Sequence, residues 1–231
     1  MRQGSRTAVL AISAFAVCSI AAAGRSRGFI ESDGATHYLF ARHAFEQPIY
    51  FLDIWGRPLC TALFAAPAWF GGLLGVRLTS LLVAIACALV AAAIARGQEY
   101  RWPMLALIFT LGQPLLFLHS FSELTELPFA LVVGLAFLSY QRRRWLWMAC
   151  MAAIAPLSRP EGFAFLLLAA GALAANRKWR CLLVLPAPLL AWSILGHELV
   201  GAPQRHWWLW LADHWPYESG SEYPRGPLLY F

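Results

Sequence analysis

Residues 58–95, PLCTALFAAPAWFGGLLGVRLTSLLVAIACALVAAAIA, form one long apolar run interrupted by a single charge, Arg77. A membrane crossing takes about 20 apolar residues. The run is therefore either two crossings, or one crossing preceded by a helix lying at the surface. The choice sets the side on which every later loop falls. Pro67 and Gly71-Gly72 argue against a clean helix through the first half. If Pro58–Val76 does not cross, Arg2, Arg6, Arg96, Arg101, Arg142, Arg143, Arg144, Arg177, Lys178 and Arg180 all fall inside, as the positive-inside bias of membrane proteins requires. If it crosses, the last three clusters move outside. We adopt the first assignment.

The composition agrees with a membrane protein. Of 231 residues, 60% are hydrophobic and 13% charged, against about 25% charged in soluble domains. Further apolar segments lie at 8–24, 102–118, 127–140, 145–157, 163–175 and 179–195. With 77–95 they predict an all-α, polytopic transmembrane protein of about seven spans, organised as a single domain over 1–231. The pair 145–157 and 163–175 is short. It either crosses or forms a re-entrant hairpin, and both of its ends lie inside in either case. MRQGSR, the apolar run after it and Ala21-Ala22-Ala23 also resemble a signal peptide with a small-residue cleavage site. Arg25 and Arg27, just outside the first span, run against the charge bias.

The net charge of +6 has no Lys/Arg run with interleaved aromatics, so it reads as topology and excludes a nucleic-acid surface. The five cysteines form no CxxC pair and fall mostly in apolar stretches. They imply neither a disulfide framework nor a zinc site.

The adopted orientation separates chemistry from topology charge. All six histidines (37, 43, 119, 197, 206, 214) fall outside, and so do eleven of the twelve acids, Glu99 being the exception. The polar outer segments are 25–57, 119–126, 158–161 and 196–231. A reaction at the outer membrane face is the expectation.

The first outer loop, 25–57, holds Glu31, Asp33, His37, His43 and Asp53. They are either a reactive constellation or a solvated loop whose acids cap a helix over 35–45. Asp33 is a suitable N-cap by residue type. In LHSFSELTELPF (118–129), Glu123 and Glu126 are spaced to share a helix face, with Ser122 as the expected cap. In PLSRPEGF (156–163), the flanking apolar runs are so short that the turn is expected below the outer surface. Arg159 and Glu161 there are either functional or simply paired. In the last outer segment, Trp207, Trp208, Trp210 and Trp215 read as an interfacial anchor, with sugar stacking as the other use.

These residues together resemble the GT-C glycosyltransferases that use polyprenyl-phosphate sugars, a class that includes protein O-mannosyltransferases and the transferase adding aminoarabinose to lipid A. Glu31-Ser32-Asp33 is similar to that class's acidic motif in the first outer loop. DIWGRPLCTALFAAPAWFGGLLGVRLTSLL (53–82) resembles its next stretch: a basic residue before Pro, a juxtamembrane helix ending in Gly, then Arg-Leu opening the second span. SELTELPF and LSRPEGF resemble its later acidic segment and Arg-Pro-x-Gly turn.

The resemblance implies sugar transfer from a polyprenyl-phosphate donor to a hydroxyl of a lipid, glycan or protein acceptor, with inversion. It implies Asp33 as general base and Glu31 as its helper. Arg57 and Arg159 would bind the donor phosphate, and His37, Asp53, Glu123 and Glu126 are candidates for the acceptor or a second acidic site. Glu31, Asp33 and His37 are compatible with a divalent metal, but the class does not generally need one and no cofactor is expected. The implied location is a bacterial inner membrane with the site facing outward. Family members usually continue through further spans, whereas this chain stops at RGPLLYF, so a shortened form is expected. A non-catalytic relative or assembly partner is the alternative. A transporter fits less well, because ionisable groups of transporters sit near the midplane and here the span interiors are almost uncharged.

Overall fold

A computed structural model describes residues 2–200, whose regular structure is all helical, with no strand among them. The last outer segment beyond residue 200, with His206, His214 and the four tryptophans, lies outside the described residues. The helices are α1 (Arg2–Arg25), α2 (Ser32–His43), α3 (Pro58–Gly97), α4 (Pro103–Leu111), α5 (Pro114–His119), α6 (Glu126–Gln141), α7 (Trp145–Ile154), α8 (Gly162–Ala175), α9 (Trp179–Leu182) and α10 (Ala187–Val200). Prolines open α3, α4 and α5, where the missing N–H would have had no helical partner.

Three segments are long and apolar enough to cross a membrane: Arg6–Arg25, Pro58–Gly97 and Trp179–Gly196. The protein thus has the make-up of an integral membrane protein. The expected span 102–118 is instead two short helices, α4 and α5. Gln113 is extended (φ −71, ψ 123) because the ring of Pro114 disfavours helical geometry in the residue before it. The segment 179–195 is likewise interrupted, by a turn at 183–186 ahead of α10.

α3 decides the architecture. Its helix is broken at Gly72 (φ 57, ψ −146), a backbone state that glycine alone adopts without penalty. Pro67 sits inside the first half without interrupting it. Gly75 lies so close to the Pro67 carbonyl that a Cβ would overlap it. Eight residues along a straight helix span about 12 Å, so this contact requires a sharp change of direction.

After the break, α3 is the central packing helix. Its Leu81, Ala84, Ala88 and Ala92 are buried against Phe15 of α1, Leu107 and Leu111 of α4, and Leu127 of α6. A second cluster joins Met148, Ala149, Ala152 and Ala153 of α7 to Ala169 and Leu173 of α8. Small residues at these contacts let helix backbones approach closely, which is how helices associate in lipid. Before the break, α3 packs Cys60, Phe64 and Ala68 against Ala41 of α2. Arg42 fastens the two by donating to the Trp69 carbonyl (2.8 Å).

The polar groups divide between two ends. At one, Gln141 Nε2 donates to the Ile94 carbonyl (3.1 Å), Tyr140 meets Trp145, and the Lys178 ammonium lies 5.7 Å from the Trp145 ring centre. This brings the basic turns around Arg96, Arg142–Arg144 and Arg177 together. The other end gathers the starts of α2, α3 and α6 and the α7–α8 turn.

Candidate functional site

The stretch between α5 and α6 is the floor of that second end. It is irregular, yet Ser120, Ser122, Glu123 and Thr125 are all buried. A polar outer loop was expected at 119–126; the segment is instead folded inward. Buried irregular backbone needs fixed partners, and side chains from two helices supply them. Ser19 of α1 meets Ser120 Oγ at 2.8 Å, and Ser80 of α3 donates to the Ser122 carbonyl at 2.6 Å.

The deepest element is an ion pair that local sequence spacing does not reveal. Arg77 Nε donates to Glu123 Oε1 at 2.9 Å, with side chains 4% and 1% exposed. The rest of the guanidinium donates to the carbonyls of Ala23 (3.0 Å), Ser26 (2.8 Å) and Gly28 (2.6 Å). Arg77 therefore fixes the exit of α1 and so the start of the first outer loop. Its sequence signal is a lone charge inside a long apolar run. Burial pushes the Glu123 carboxyl above its usual range, against the pull of Arg77. A Cβ on Gly34 would lie 3.3 Å from Glu123 Oε2, so α2 rests directly on this pair.

The expectation that Glu123 and Glu126 share a helix face is overturned. The α6 N-cap is Thr125, so Glu123 precedes the helix and Glu126 opens it. Glu123 belongs to Arg77, whereas Glu126 pairs with Arg159. Ser122, the expected cap, lies three residues too early. Its hydroxyl donates to the His119 carbonyl (3.2 Å) and accepts from the Leu124 N–H (3.4 Å).

Arg159 reaches Glu126 and Thr125 with one nitrogen and Glu161 Oε1 (2.9 Å) with the other. The Glu161 bond raises Arg159 further, and Arg159 in turn holds the Glu161 carboxyl below its usual range. Arg159 and Glu161 of the SRPEG turn are thus engaged with each other, and Arg159 with α6 as well. The turn can close only because Gly162 lacks a side chain: a Cβ there would overlap the backbone of Ala155 and Pro156. Cys60, at the start of α3, has its sulfur 3.6 Å from Ser158 Oγ and ties the turn to α3.

α2 begins earlier than expected, at Ser32. Its N-cap is Glu31, which makes no capping bond, and Asp33 lies in the first turn rather than at the cap. Glu31 and Asp33 are exposed. His37, one turn after Asp33, is buried at 7% exposure, and its Nδ1 has no hydrogen-bond partner. Burial, reinforced by Arg57, lowers its pKa from 6.5 to about 4, with Asp33 and Glu126 pulling the other way. His37 is therefore a neutral imidazole at pH 7, within electrostatic reach of Asp33, Arg57, Glu126 and Arg159. His119 Nδ1 and Glu126 Oε2 face each other at 3.9 Å, too far for a hydrogen bond, and neither has another partner.

Asp53, expected among the site acids, is used by the chain itself. Its Oδ1 accepts the N–H groups of Trp55 (2.8 Å) and Gly56 (2.9 Å). This turn delivers Arg57 at φ 59, ψ 94 as the N-cap of α3. The other non-glycine residues at positive φ, Glu99, Arg143 and Arg177, sit just past helix ends, where the left-handed state is common. Arg57 precedes its helix, and strain in such a place is more often tied to function. Its guanidinium donates to the Ile54 carbonyl (3.1 Å) and faces the Trp55 ring at 5.9 Å. No carboxylate pairs with it among the described residues.

The structure thus brings together Asp33, His37, Arg57, Glu126, Arg159 and Glu161 from four separate segments. It turns Glu123 and Asp53 to structural use and leaves Glu31 at the rim. Among the described residues, no group of three or more His, Cys, Asp or Glu side chains is arranged to hold a metal ion. No family model matches the chain, and neither does any curated protein or solved structure.

Proposed function

We propose that the chain is an integral-membrane glycosyltransferase of GT-C type, with about seven crossings and its polar end at the outer face of a bacterial inner membrane. It moves a sugar from a polyprenyl-phosphate donor to an acceptor hydroxyl, with inversion. The observation that carries this reading is the combination of a carboxylate, a neutral imidazole and a guanidinium without a carboxylate partner at one end of the bundle. Among the described residues, Asp33 makes no ion pair, Arg57 has no carboxylate partner, and His37 lacks a partner for Nδ1. Such an array is open to a ligand that carries an anion and a hydroxyl.

In the proposed reaction the acceptor oxygen attacks the anomeric carbon and loses its proton to Asp33. The bond between that carbon and the lipid phosphate oxygen breaks, and the electron pair leaves with the phosphate. Arg57 stabilises the charge that develops there, for which a planar guanidinium is well shaped. Arg159 is the weaker phosphate candidate because two carboxylates already occupy it. Glu31 assists at the rim. The exposed Leu39 of α2, Phe45 just after it, and Trp69 and Phe70 of the first half of α3 give the donor's tail an apolar surface next to the site. Aromatic residues favour that depth.

Membranes containing the protein, incubated with a panel of radiolabelled polyprenyl-phosphate sugars, test the reading. Label transferred to a lipid, glycan or protein acceptor supports it. No transfer from any donor, with the protein inserted and folded, rejects it.

A further inference from the structure

The opposite end of the bundle carries a feature that sugar transfer does not use. A groove of about 330 Å³ runs between α6 and α7, lined by Leu135, Leu138, Trp147 and Met151, with Ser139, Arg142 and Arg144 at its mouth. Pockets that take small ligands start near this size, about 300 Å³.

The turn that carries the arginines at the mouth is fixed by its backbone. The backbone N–H groups of Arg142, Arg143 and Arg144 return to the carbonyls of Leu138 (3.1 Å), Tyr140 (2.9 Å) and Ser139 (2.8 Å). Arg143 takes the left-handed conformation (φ 55) that glycine usually fills at a helix end. The turn is therefore rigid, and all three side chains are exposed. No ion pair among the described residues includes any of them.

The groove's depth narrows the class of ligand. Leu135 lies seven residues before Arg142 on α6, and Met151 seven residues after Arg144 on α7. Seven helical residues rise about 10 Å. The cleft therefore extends about 10 Å from the charged mouth into the apolar zone. An acidic peptide would meet the arginines but leave that apolar cleft empty. A molecule with an anionic head and a hydrocarbon chain matches both parts. Basic pockets between membrane helices are suited to phosphate headgroups for this reason.

We propose that the α6–α7 groove is a binding site for an anionic membrane phospholipid, its phosphate on Arg142 and Arg144 and one acyl chain between Leu135 and Met151. The site stands on the membrane character of the chain and is independent of the proposed transferase activity.

Native mass spectrometry of the full chain in detergent micelles tests it, with phosphatidylglycerol and phosphatidylcholine of identical chains as probes. The wild type is expected to retain phosphatidylglycerol preferentially. The double variant Arg142→Gln/Arg144→Gln should weaken that binding about 25-fold, a factor of about five for each arginine at headgroup depth. Arg96→Gln/Arg177→Gln removes the same charge from the same end, outside the groove, and should leave binding near wild type. Met151→Trp keeps every charge and fills the cleft, and should also weaken binding; Leu135→Trp serves if Met151→Trp does not fold. Equal loss in the two arginine double variants would reduce the effect to general surface charge and overturn the site. So would equal retention of the two lipids, or unchanged binding when the cleft is filled.

Discussion

His37 offers a quantitative test of the packing at the polar end. Its imidazole is buried, lacks a partner at Nδ1, and has its pKa lowered from 6.5 to about 4 by burial and by Arg57. The unfolded chain takes up a proton near pH 6.5, while the folded protein resists until about pH 4. Stability from this group is therefore complete above pH 6.5 and is lost as the pH falls towards 4. At about 1.4 kcal/mol per pH unit, the loss reaches about 2 kcal/mol at pH 5 and about 3 kcal/mol at pH 4. His37→Asn removes the titration at a similar polar position. Thermal unfolding of both proteins in the same detergent, at pH 7 and pH 5, isolates the term. Glu161 is held down by Arg159, so that pair stays ionised at pH 5 and cancels in the comparison. The wild type should lose about 2 kcal/mol more than the variant, roughly 4–8 °C in Tm for a chain of this size. Parallel pH responses would mean that His37 is hydrated or protonated in the folded protein, and that α2 does not seal it against Arg57.

Further outcomes follow from named contacts. Arg77→Ala leaves the buried Glu123 carboxyl and three backbone carbonyls without their partner, and should cost about 3–5 kcal/mol, read as lost folded protein after extraction; Arg77→Ala with Glu123→Leu should recover part of it. Gly162→Ala should disrupt the SRPEG turn and lower both stability and transfer, since its Cβ has nowhere to go. Arg57→Ala should lower transfer strongly and Arg57→Lys should retain part, because lysine keeps the charge without the planar fork; unchanged transfer in Arg57→Ala would remove it from the mechanism. A cysteine at Ser32 should react with an impermeant reagent from outside the cell while one at Gln98 does not, and the reverse result would invert the proposed orientation.

Local chemistry made some of this legible from sequence, and long-range pairing hid the rest. Gly71-Gly72 marks the break in α3, since only glycine takes the Gly72 backbone state cheaply. The arginine bias groups Arg96, Arg142–Arg144 and Arg177, and their turns do meet at one end. The turn signals Gly112 and Pro114 were equally visible, yet the even apolarity of 102–118 masked them. Glu123 and Glu126 look equivalent by spacing. They differ because Arg77, 46 residues earlier, captures the first, and Arg159, 33 residues later, captures the second. Asp33 and Asp53 look alike as loop acids too. Only the fold shows that Asp53 is used by its own turn, while Asp33 stays exposed on α2.

The most direct test of the proposed transferase is Asp33→Asn in the labelled-donor assay. Asparagine matches aspartate in size, and among the described residues the Asp33 side chain makes no ion pair that its loss would break, so expression and insertion should be unchanged. What goes is the negative charge and the capacity to take the acceptor proton. Transfer should fall about 10²- to 10⁴-fold, with a smaller effect for Glu31→Gln. Near-normal transfer by Asp33→Asn would contradict the assignment of Asp33 as the base.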